Sequence, residues 1–236
     1  MKSGDIFERY SRQIFIDEIG LEGQRKIMNS KVLVIGAGGL GSPVIQYLAA
    51  AGTGTLGVAD FDEVELHNLN RQTIHCENTV GFSKIKSAEA FVNNLNHHVK
   101  LIGVNTKIDS SNAEEILTQY DIIIDGSDNF TARYLINDTC VKLAKPLVYG
   151  SILGFSGQMA VFNYKGSRNL RHLFPEPPSD EHIPDCDSLG VLGALPGIVG
   201  SMMAMQTLKI ITGLYIIPDQ LTLIDTLHWR FQTIDF

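Results

Sequence analysis

The sequence predicts an α/β fold with a mainly parallel sheet flanked by helices, followed by a mixed or antiparallel C-terminal part. Two observations lead to this prediction. Up to Tyr149, short apolar runs such as Lys31–Ile35 alternate with stretches of helical periodicity, a pattern typical of buried parallel strands joined by helices. After Tyr149 this alternation ends, and an irregular segment rather than a series of helices separates the strand-like runs.

The elements can be placed in order from their apolar periodicity and their Gly, Ser and Pro boundaries. Residues 1–30 are expected to form an N-terminal helical arm. In the core, residues 31–150, the predicted strands are 31–35, 55–59, 101–104, 121–125 and 146–149, and the predicted helices are 40–51, 83–96, 111–119 and 130–143. Further strands are expected at 158–163 and 221–224. Residues 165–190 hold four of the eight prolines and predict a crossover loop. No linker is recognisable, so 1–236 is expected to be a single domain.

One apolar stretch raises the question of a membrane span. Residues 189–217 carry a single charge, that of Lys209, and are long enough to cross a bilayer. Pro196 and five glycines interrupt the stretch, however. We therefore expect a buried helix of roughly 16 residues that begins after Pro196 and ends at Gly213.

Composition excludes several classes of protein. The chain has 236 residues, a hydrophobic fraction of 44%, and 26 acidic against 19 basic side chains, giving a net charge of −7. Such a chain can bury a core, and its acidity argues against a nucleic-acid-binding role. Three cysteines without a CxxC pair argue against a disulfide scaffold, and residues 1–10 lack an apolar signal segment. We expect a cytoplasmic protein that binds neither nucleic acid nor membrane.

A glycine-rich loop is the first functional motif. Gly36, Gly38, Gly39 and Gly41 lie between the first predicted strand and the first helix, where the backbone can approach a phosphate at a helix N-terminus. Asp60 ends the second predicted strand, at the distance expected for an acid that binds ribose hydroxyls. Together these residues predict a Rossmann-like, nucleotide-binding core.

The cations around this loop favour ATP over NAD. Asn68, Arg71 and Lys84 follow the loop and Arg12 precedes it. Such a group of polar and basic residues suggests a ligand with more negative charge than a pyrophosphate carries. Asp128, at the end of the fourth predicted strand, is a candidate magnesium ligand because Mg²⁺ prefers carboxylate and phosphate oxygens. Asp128 and Asn129 precede a predicted helix, so this segment can equally be a helix cap.

Six motifs in this order resemble the ThiF/MoeB/HesA proteins, bacterial enzymes similar to the adenylation half of ubiquitin-activating enzymes. The resemblance runs from about residue 7 to residue 229. The motifs are RYSRQ at 9–13, GAGGLG at 36–41, DFD at 60–62, NLNRQ at 68–72, GFSK at 81–84 and SDN at 127–129.

The resemblance implies adenylation of the C-terminal glycine of a small ubiquitin-like sulfur-carrier protein with a Gly-Gly end, using ATP and magnesium. It implies that Gly39 contacts the nucleotide and Asp60 the ribose. By the same resemblance Asn68, Arg71 and Lys84 bind phosphates, and Asp128 binds magnesium beside Asn129. Arg12 would reach the triphosphate from the other subunit of a homodimer. The carrier would serve sulfur transfer in thiamine or molybdopterin biosynthesis.

The sequence departs from the family at its metal and thiol positions. Many relatives hold zinc with two CxxC pairs, but the first pair is replaced here by Asn169 and His172 and the second is absent. We therefore predict that the chain binds no zinc. Cys186 stands where the family has its loop cysteine and is a candidate catalytic or sulfur-relay thiol. The flanking acids Asp185 and Asp187 disfavour a thiolate, so a passive loop thiol remains the alternative.

Three alternatives remain at this stage. An NAD-dependent oxidoreductase would account for the glycine loop and Asp60 but not for Arg71, Lys84 and Asp128. A tRNA-modifying dehydratase related to ThiF would activate a different carboxylate. A non-catalytic partner, similar to the inactive half of heterodimeric relatives, is disfavoured because the charged residues are all present.

Overall fold

The computed structural model describes residues 3–178 and 190–236, and these form one sheet with helices on both faces. The strand order is β3-β2-β1-β4-β5-β6-β7-β8. The strands are β1 (Lys31–Ile35), β2 (Thr55–Ala59), β3 (Lys100–Val104), β4 (Ile122–Asp125), β5 (Leu147–Leu153), β6 (Ser156–Phe162), β7 (Gln220–Asp225) and β8 (Arg230–Asp235).

The helices follow the strands in the alternation that the sequence predicts. They are α1 (Ser3–Ile14), α2 (Gly20–Asn29), α3 (Gly41–Ala51), α4 (Lys84–Leu95), α5 (Ala113–Leu117), α6 (Phe130–Lys142), α7 (Leu170–Leu173) and α8 (Ala194–Thr212). Two short 3₁₀ turns, Leu66–Asn68 and Glu77–Thr79, lie between β2 and α4. The predicted boundaries agree with these within a few residues, except that α7 was not predicted and lies within the expected crossover loop 165–190, of which residues 179–189 are outside the described part of the chain.

The first five strands in the sheet order pair in parallel and the remainder in antiparallel fashion, which confirms the predicted fold class. Val34 on β1 stands between Val58 on β2 and Ile124 on β4, and all three are fully buried. Apolar β-branched side chains fit this position because helices cover both faces of the sheet.

The antiparallel part differs from the prediction in length. β5 runs on to Leu153, beyond the predicted end at Tyr149, because the tight connection to β6 pairs the two strands along their whole length. β8 was not predicted. All six of its residues are exposed, so the strand has no buried side that periodicity could reveal.

Helix α8 occupies the apolar stretch that resembled a membrane span. It is, among the described residues, the one helix long and apolar enough to cross a bilayer. It packs on α2, α3, β5 and β6, with Leu195, Val199 and Met203 buried. It begins at Ala194, earlier than expected, because Pro196 fits in the first helical turn, where no backbone donor is needed. It ends at Gly213, which adopts a left-handed φ of 82° as the predicted stop.

Candidate nucleotide-binding site

A cavity opens at the carboxyl ends of β1, β2 and β4. Here the strand order reverses, since β2 and β3 lie on one side of β1, and β4 and β5 lie on the other. Such a switch point is where doubly wound sheets bind ligands. Eight of the predicted site residues line this cavity: Gly36, Gly38, Gly39, Asp60, Arg71, Lys84, Asp128 and Asn129.

The glycine loop is closely packed against its own backbone. Gly36 has a φ of 94°, and a Cβ there would lie 2.8 Å from the carbonyl oxygen of Gly126. Gly41 does not line the cavity, but a Cβ on it would lie 1.9 Å from the Gly36 carbonyl oxygen. Gly41 therefore lets the loop close behind the cavity, while Gly36, Gly38 and Gly39 form its wall.

Asp60 holds the loop in place. Its side chain is almost fully buried, and its two oxygens accept hydrogen bonds from the backbone N–H groups of Ala37 at 2.7 Å and Asp62 at 2.8 Å. Each carboxylate oxygen has two acceptor positions, so these bonds leave one position per oxygen. The residue predicted to bind ribose thus also orders the loop beside it.

Two basic side chains face the loop, one from the connection between β2 and α4 and one from the start of α4. The Lys84 ammonium lies 2.7 Å from an oxygen of Asp62, and the backbone N–H of Lys84 donates to the Asp62 carbonyl at 2.9 Å. Arg71 donates from Nη1 to the His67 carbonyl at 2.9 Å and to Oδ1 of Asn70 at 3.2 Å. Both cations are held by local contacts at the edge of the cavity.

In the segment after β4, Asp128 and Asn129 differ in role, where the sequence left a magnesium ligand and a helix cap open for both. Asn129 is the N-cap of α6, since its Oδ1 accepts the backbone N–H of Ala132 at 2.9 Å. Its Nδ2 donates to Oδ1 of Asp128 at 3.2 Å. Asp128 itself is exposed at the cavity. One exposed carboxylate beside the glycine loop is a donor set that suits Mg²⁺, which is commonly bound by one or two carboxylates together with substrate phosphates.

Besides Gly41, two described residues of the predicted site, Asn68 and Arg12, do not line the cavity. Asn68 is buried, with Oδ1 accepting the Glu65 N–H at 3.0 Å and Nδ2 3.1 Å from the His67 ring. Arg12 is exposed on α1 and is not among the lining residues of its own chain. Cys186 lies outside the described residues. Of the other cysteines, Cys140 is buried and burial raises the pKa of its thiol, whereas Cys76 is exposed.

Two further charged residues belong to the site although the sequence did not single them out. Arg133 on α6 is buried, donates to the carbonyls of Ser127 at 2.7 Å and Gly150 at 2.8 Å, and lies 5.1 Å from the Tyr149 ring. Asp125 accepts both the N–H and the hydroxyl of Ser127, and burial raises the pKa of its carboxyl although Arg133 opposes this. Together they fix the turn that carries Asp128.

The wall opposite the glycine loop is formed by residues after β2 and β3. Lys107 lies 5.8 Å from the centre of the Phe61 ring, and Thr106 and Ile108 line the cavity beside it. Gln72, buried under the loop, completes the lining next to Arg71. A sequence signal existed for Gln72, which ends the NLNRQ motif, but not for Lys107, whose position depends on how β3 ends.

Among the described residues, no three His, Cys, Asp or Glu side chains come together as a metal-binding cluster. Asn169 and His172, at the position of the first zinc pair, belong instead to the cap of α7, where Nδ1 of His172 accepts the Asn169 N–H at 3.2 Å. The absence of zinc stays a prediction.

The sequence model of the ThiF family matches residues 10–236, a range that includes the loop, the acid and the cations of this site. The chain belongs to the ThiF family. This confirms the resemblance to ThiF and MoeB proteins that the six motifs indicate.

Curated relatives of this ThiF-family chain are named adenylyltransferase and sulfurtransferase MOCS3. The protein of Culex quinquefasciatus is 50% identical over 205 residues, which is 87% of this chain and 47% of that protein. The protein of Xenopus laevis is 47% identical over 229 residues, which is 96% of this chain and 50% of that protein. The chain thus spans about half the length of the curated relatives it matches.

Solved structures share the fold of this ThiF-family chain. PaaA superimposes with a TM-score of 0.82 at 24% identity, over 99% of this chain and 74% of that one. MccB of E. coli, crystallised with AMPCPP and MccA, gives a TM-score of 0.85 at 18% identity over 96% and 70% of the two chains. These likenesses support the fold and not the ligand.

Proposed function

We propose that this chain is an adenylyltransferase that uses ATP and magnesium to adenylate the C-terminal glycine of a small ubiquitin-like sulfur-carrier protein. The observation that carries the proposal is that Arg71, Lys84 and Asp128 line the same cavity as the glycine loop. An NAD-dependent oxidoreductase needs none of these three residues. The MOCS3 proteins, at up to 50% identity, carry adenylyltransferase in their name.

The reaction joins two anions. An oxygen of the carrier carboxylate attacks the α-phosphorus of ATP, a P–O bond forms, and the bond to the bridging oxygen breaks as pyrophosphate leaves. The attacking carboxylate is already ionised at neutral pH, so no general base is required. The barrier is largely electrostatic, and preorganised cations lower it by stabilising the charge that develops on the phosphates.

The residues of this chain divide that task. Lys84 and Arg71 bind phosphate oxygens, and the glycine loop presents backbone N–H groups at the start of α3. Asp60 accepts hydrogen bonds from the ribose with the acceptor positions that Ala37 and Asp62 leave. Asp128 would hold magnesium, which supplies further positive charge to the phosphates. Asn129 fixes Asp128 through its amide, and Arg133 fixes the turn before it.

Arg12 completes the site from a second copy of the chain in this proposal. Its side chain is exposed on α1, which is docked on its own chain by a bond from Gln13 to the Ala51 carbonyl and by the buried Tyr10. A cation that is presented outward on a rigidly docked helix suits contact with a partner subunit. We therefore include in the proposal a homodimer with Arg12 acting in trans, and a location in the cytoplasm.

Mass spectrometry of the carrier tests the proposal. The chain is incubated with ATP, magnesium and each small Gly-Gly-tailed protein of its genome, and the carrier is expected to gain the mass of AMP. Carrier lacking its last glycine is the matched control and stays unmodified. The identity of the modified carrier decides between thiamine, molybdopterin and another sulfur-transfer route. Tighter binding of NAD than of ATP, with no carrier modified, would contradict the proposal.

A further inference from the structure

His75 lies directly behind the glycine loop and is 6% exposed. Its Nε2 is 2.9 Å from the carbonyl oxygen of Ala37, and its Nδ1 is 2.8 Å from Oγ of Ser87 on α4. Because a carbonyl only accepts, Nε2 carries the hydrogen. Burial lowers the pKa of His75 and favours the neutral ring, whose Nδ1 faces a Ser87 hydroxyl that also lies 3.1 Å from Oγ1 of Thr79.

The backbone of Ala37 is therefore held from both sides. Its N–H donates to Asp60 at 2.7 Å, and its carbonyl accepts from His75. Ala37 is fully buried, so neither group has water as an alternative partner. Both backbone polar groups of this residue are thus used to fix the loop.

Both bonds lead to the same turn of α4. On one side Asp60 accepts from the Asp62 backbone N–H, and the Asp62 carboxylate pairs with Lys84. On the other side His75 meets Ser87, which stands one helical turn after Lys84. Ala37, Asp60, Asp62, the first turn of α4 and His75 thus form a closed ring of contacts.

We propose that His75 is a positioning residue for nucleotide binding: it sets the glycine loop relative to Lys84, so that the loop amides and the ammonium meet the phosphates of one nucleotide. The inference rests on the proposed function, because a nucleotide phosphate is the ligand. Loss of either bond made by His75 opens the ring on the side that Asp60 does not hold. The ligand should then lose the phosphate contacts and keep those of its base and ribose.

Two substitutions remove the two bonds of His75 one at a time. In His75→Gln the amide nitrogen reaches the position of Nε2 and still donates to Ala37, but the bond to Ser87 is lost. In His75→Asn the amide ends near the position of Nδ1, and the bond to Ala37 is lost. His97→Gln makes the same chemical change at an exposed histidine and is the control. Ser87→Ala, which removes the anchor on α4 and keeps the ring, provides an independent variant.

The measurement is the Kd of the free protein for MgATP and for adenosine, together with Tm. We expect His75→Asn and Ser87→Ala to weaken MgATP binding about tenfold, the size of one lost hydrogen bond, with adenosine binding unchanged. His75→Gln keeps the bond to Ala37 but places no atom at the position of Nδ1, so it should weaken MgATP binding as Ser87→Ala does, whereas His97→Gln should match wild type. If His75→Asn does not fold, the Ser87→Ala result decides alone.

Two results would overturn the inference while leaving the proposed function intact. One is a wild-type Kd for MgATP in both His75→Asn and Ser87→Ala. The other is a parallel loss of MgATP and adenosine binding, which would indicate a purely structural histidine. A wild-type protein that binds no MgATP would overturn the proposed function, and the inference with it.

Discussion

Lys84 and Asp62 form an ion pair at the edge of the candidate site, with 2.7 Å between the ammonium and the nearer carboxylate oxygen. The two side chains differ in exposure: Lys84 is 8% exposed and Asp62 is 48% exposed. A buried ammonium requires a partner, and here the partner reaches solvent. The cation is therefore oriented towards the cavity before any ligand binds.

Replacing Lys84 by Ala should lower carrier-dependent ATP–pyrophosphate exchange by about 10²–10³-fold, as for the loss of one preorganised donor to a developing charge. Lys86→Ala, two residues further along α4, removes an exposed ammonium and should leave the exchange rate unchanged. An exchange rate in Lys84→Ala equal to that of Lys86→Ala would show that the ammonium does not act on the phosphates.

Arg12 in trans predicts complementation between two inactive variants. Arg12→Ala and Lys84→Ala dimers should each be inactive, whereas their mixture contains hybrid dimers with one complete site. After random exchange of subunits the mixture should recover about a quarter of the wild-type exchange rate, since half the dimers are hybrids with one site of two. No recovery, with hybrid dimers detected by native mass spectrometry, would mean that Arg12 acts within its own chain or not at all.

Gly41→Ala should abolish ATP binding and lower Tm, because its Cβ would overlap the Gly36 carbonyl and push the glycine loop outward. Gly197→Ala is the matched change in α8. A Cβ there meets nothing within 4 Å, so this variant should keep ATP binding and gain about 0.5–1 kcal/mol from better helix propensity. Calorimetry of both variants measures the two effects; equal ATP affinity in both would contradict the close packing of the loop.

Stability should fall as the pH drops below 6.5, and His75 should cause part of the fall. Burial, followed by the charge of Lys84, lowers the pKa of His75, while the Ala37 carbonyl and Asp60 oppose this. The unfolded chain therefore takes up a proton near pH 6.5 that the folded chain takes up only at lower pH, and the free energy of unfolding decreases between these two values.

Urea unfolding at pH 7.5 and pH 5.5 measures this effect. His75→Gln, which does not titrate, should lose less stability over this interval than wild type. His97→Gln should keep the wild-type dependence, because that ring is exposed. A loss in His75→Gln as large as in wild type would mean that His75 titrates equally in both states.

The parts of the site that lie on contiguous motifs were predictable. The glycine loop follows a strand and precedes a helix, and Asp60 follows the next strand. Their places at the ends of two adjacent parallel strands bring them together in space. Lys84 was also predictable, since it begins a helix whose cap, Ser83, accepts the Lys86 N–H. Their approach to one cavity follows from the parallel sheet, whose strand ends meet at one edge.

Arg133 and His75 were not predictable in their roles. A basic residue in a helix of mixed polarity is usually solvated, and Arg133 is buried only because carbonyls after β4 and within β5 receive its guanidinium. His75 depends similarly on Ala37, 38 residues earlier. Such contacts join segments that are distant in sequence, and no local pattern records them. Strand β8 was not predictable because it pairs through its backbone and buries no side chain, so it has no apolar periodicity.

In the described part of the chain, the positive charges of the cavity come from the loops and helices and not from the sheet. The basic residues that line it, Arg71, Lys84, Lys107 and Arg133, stand on loops and helices, and within the described residues no strand contributes one. The sheet carries the apolar core. Selection of the ligand and stability of the scaffold thus lie on separate parts of the chain. Substitutions at these four positions can therefore change the charge of the cavity without repacking a single strand.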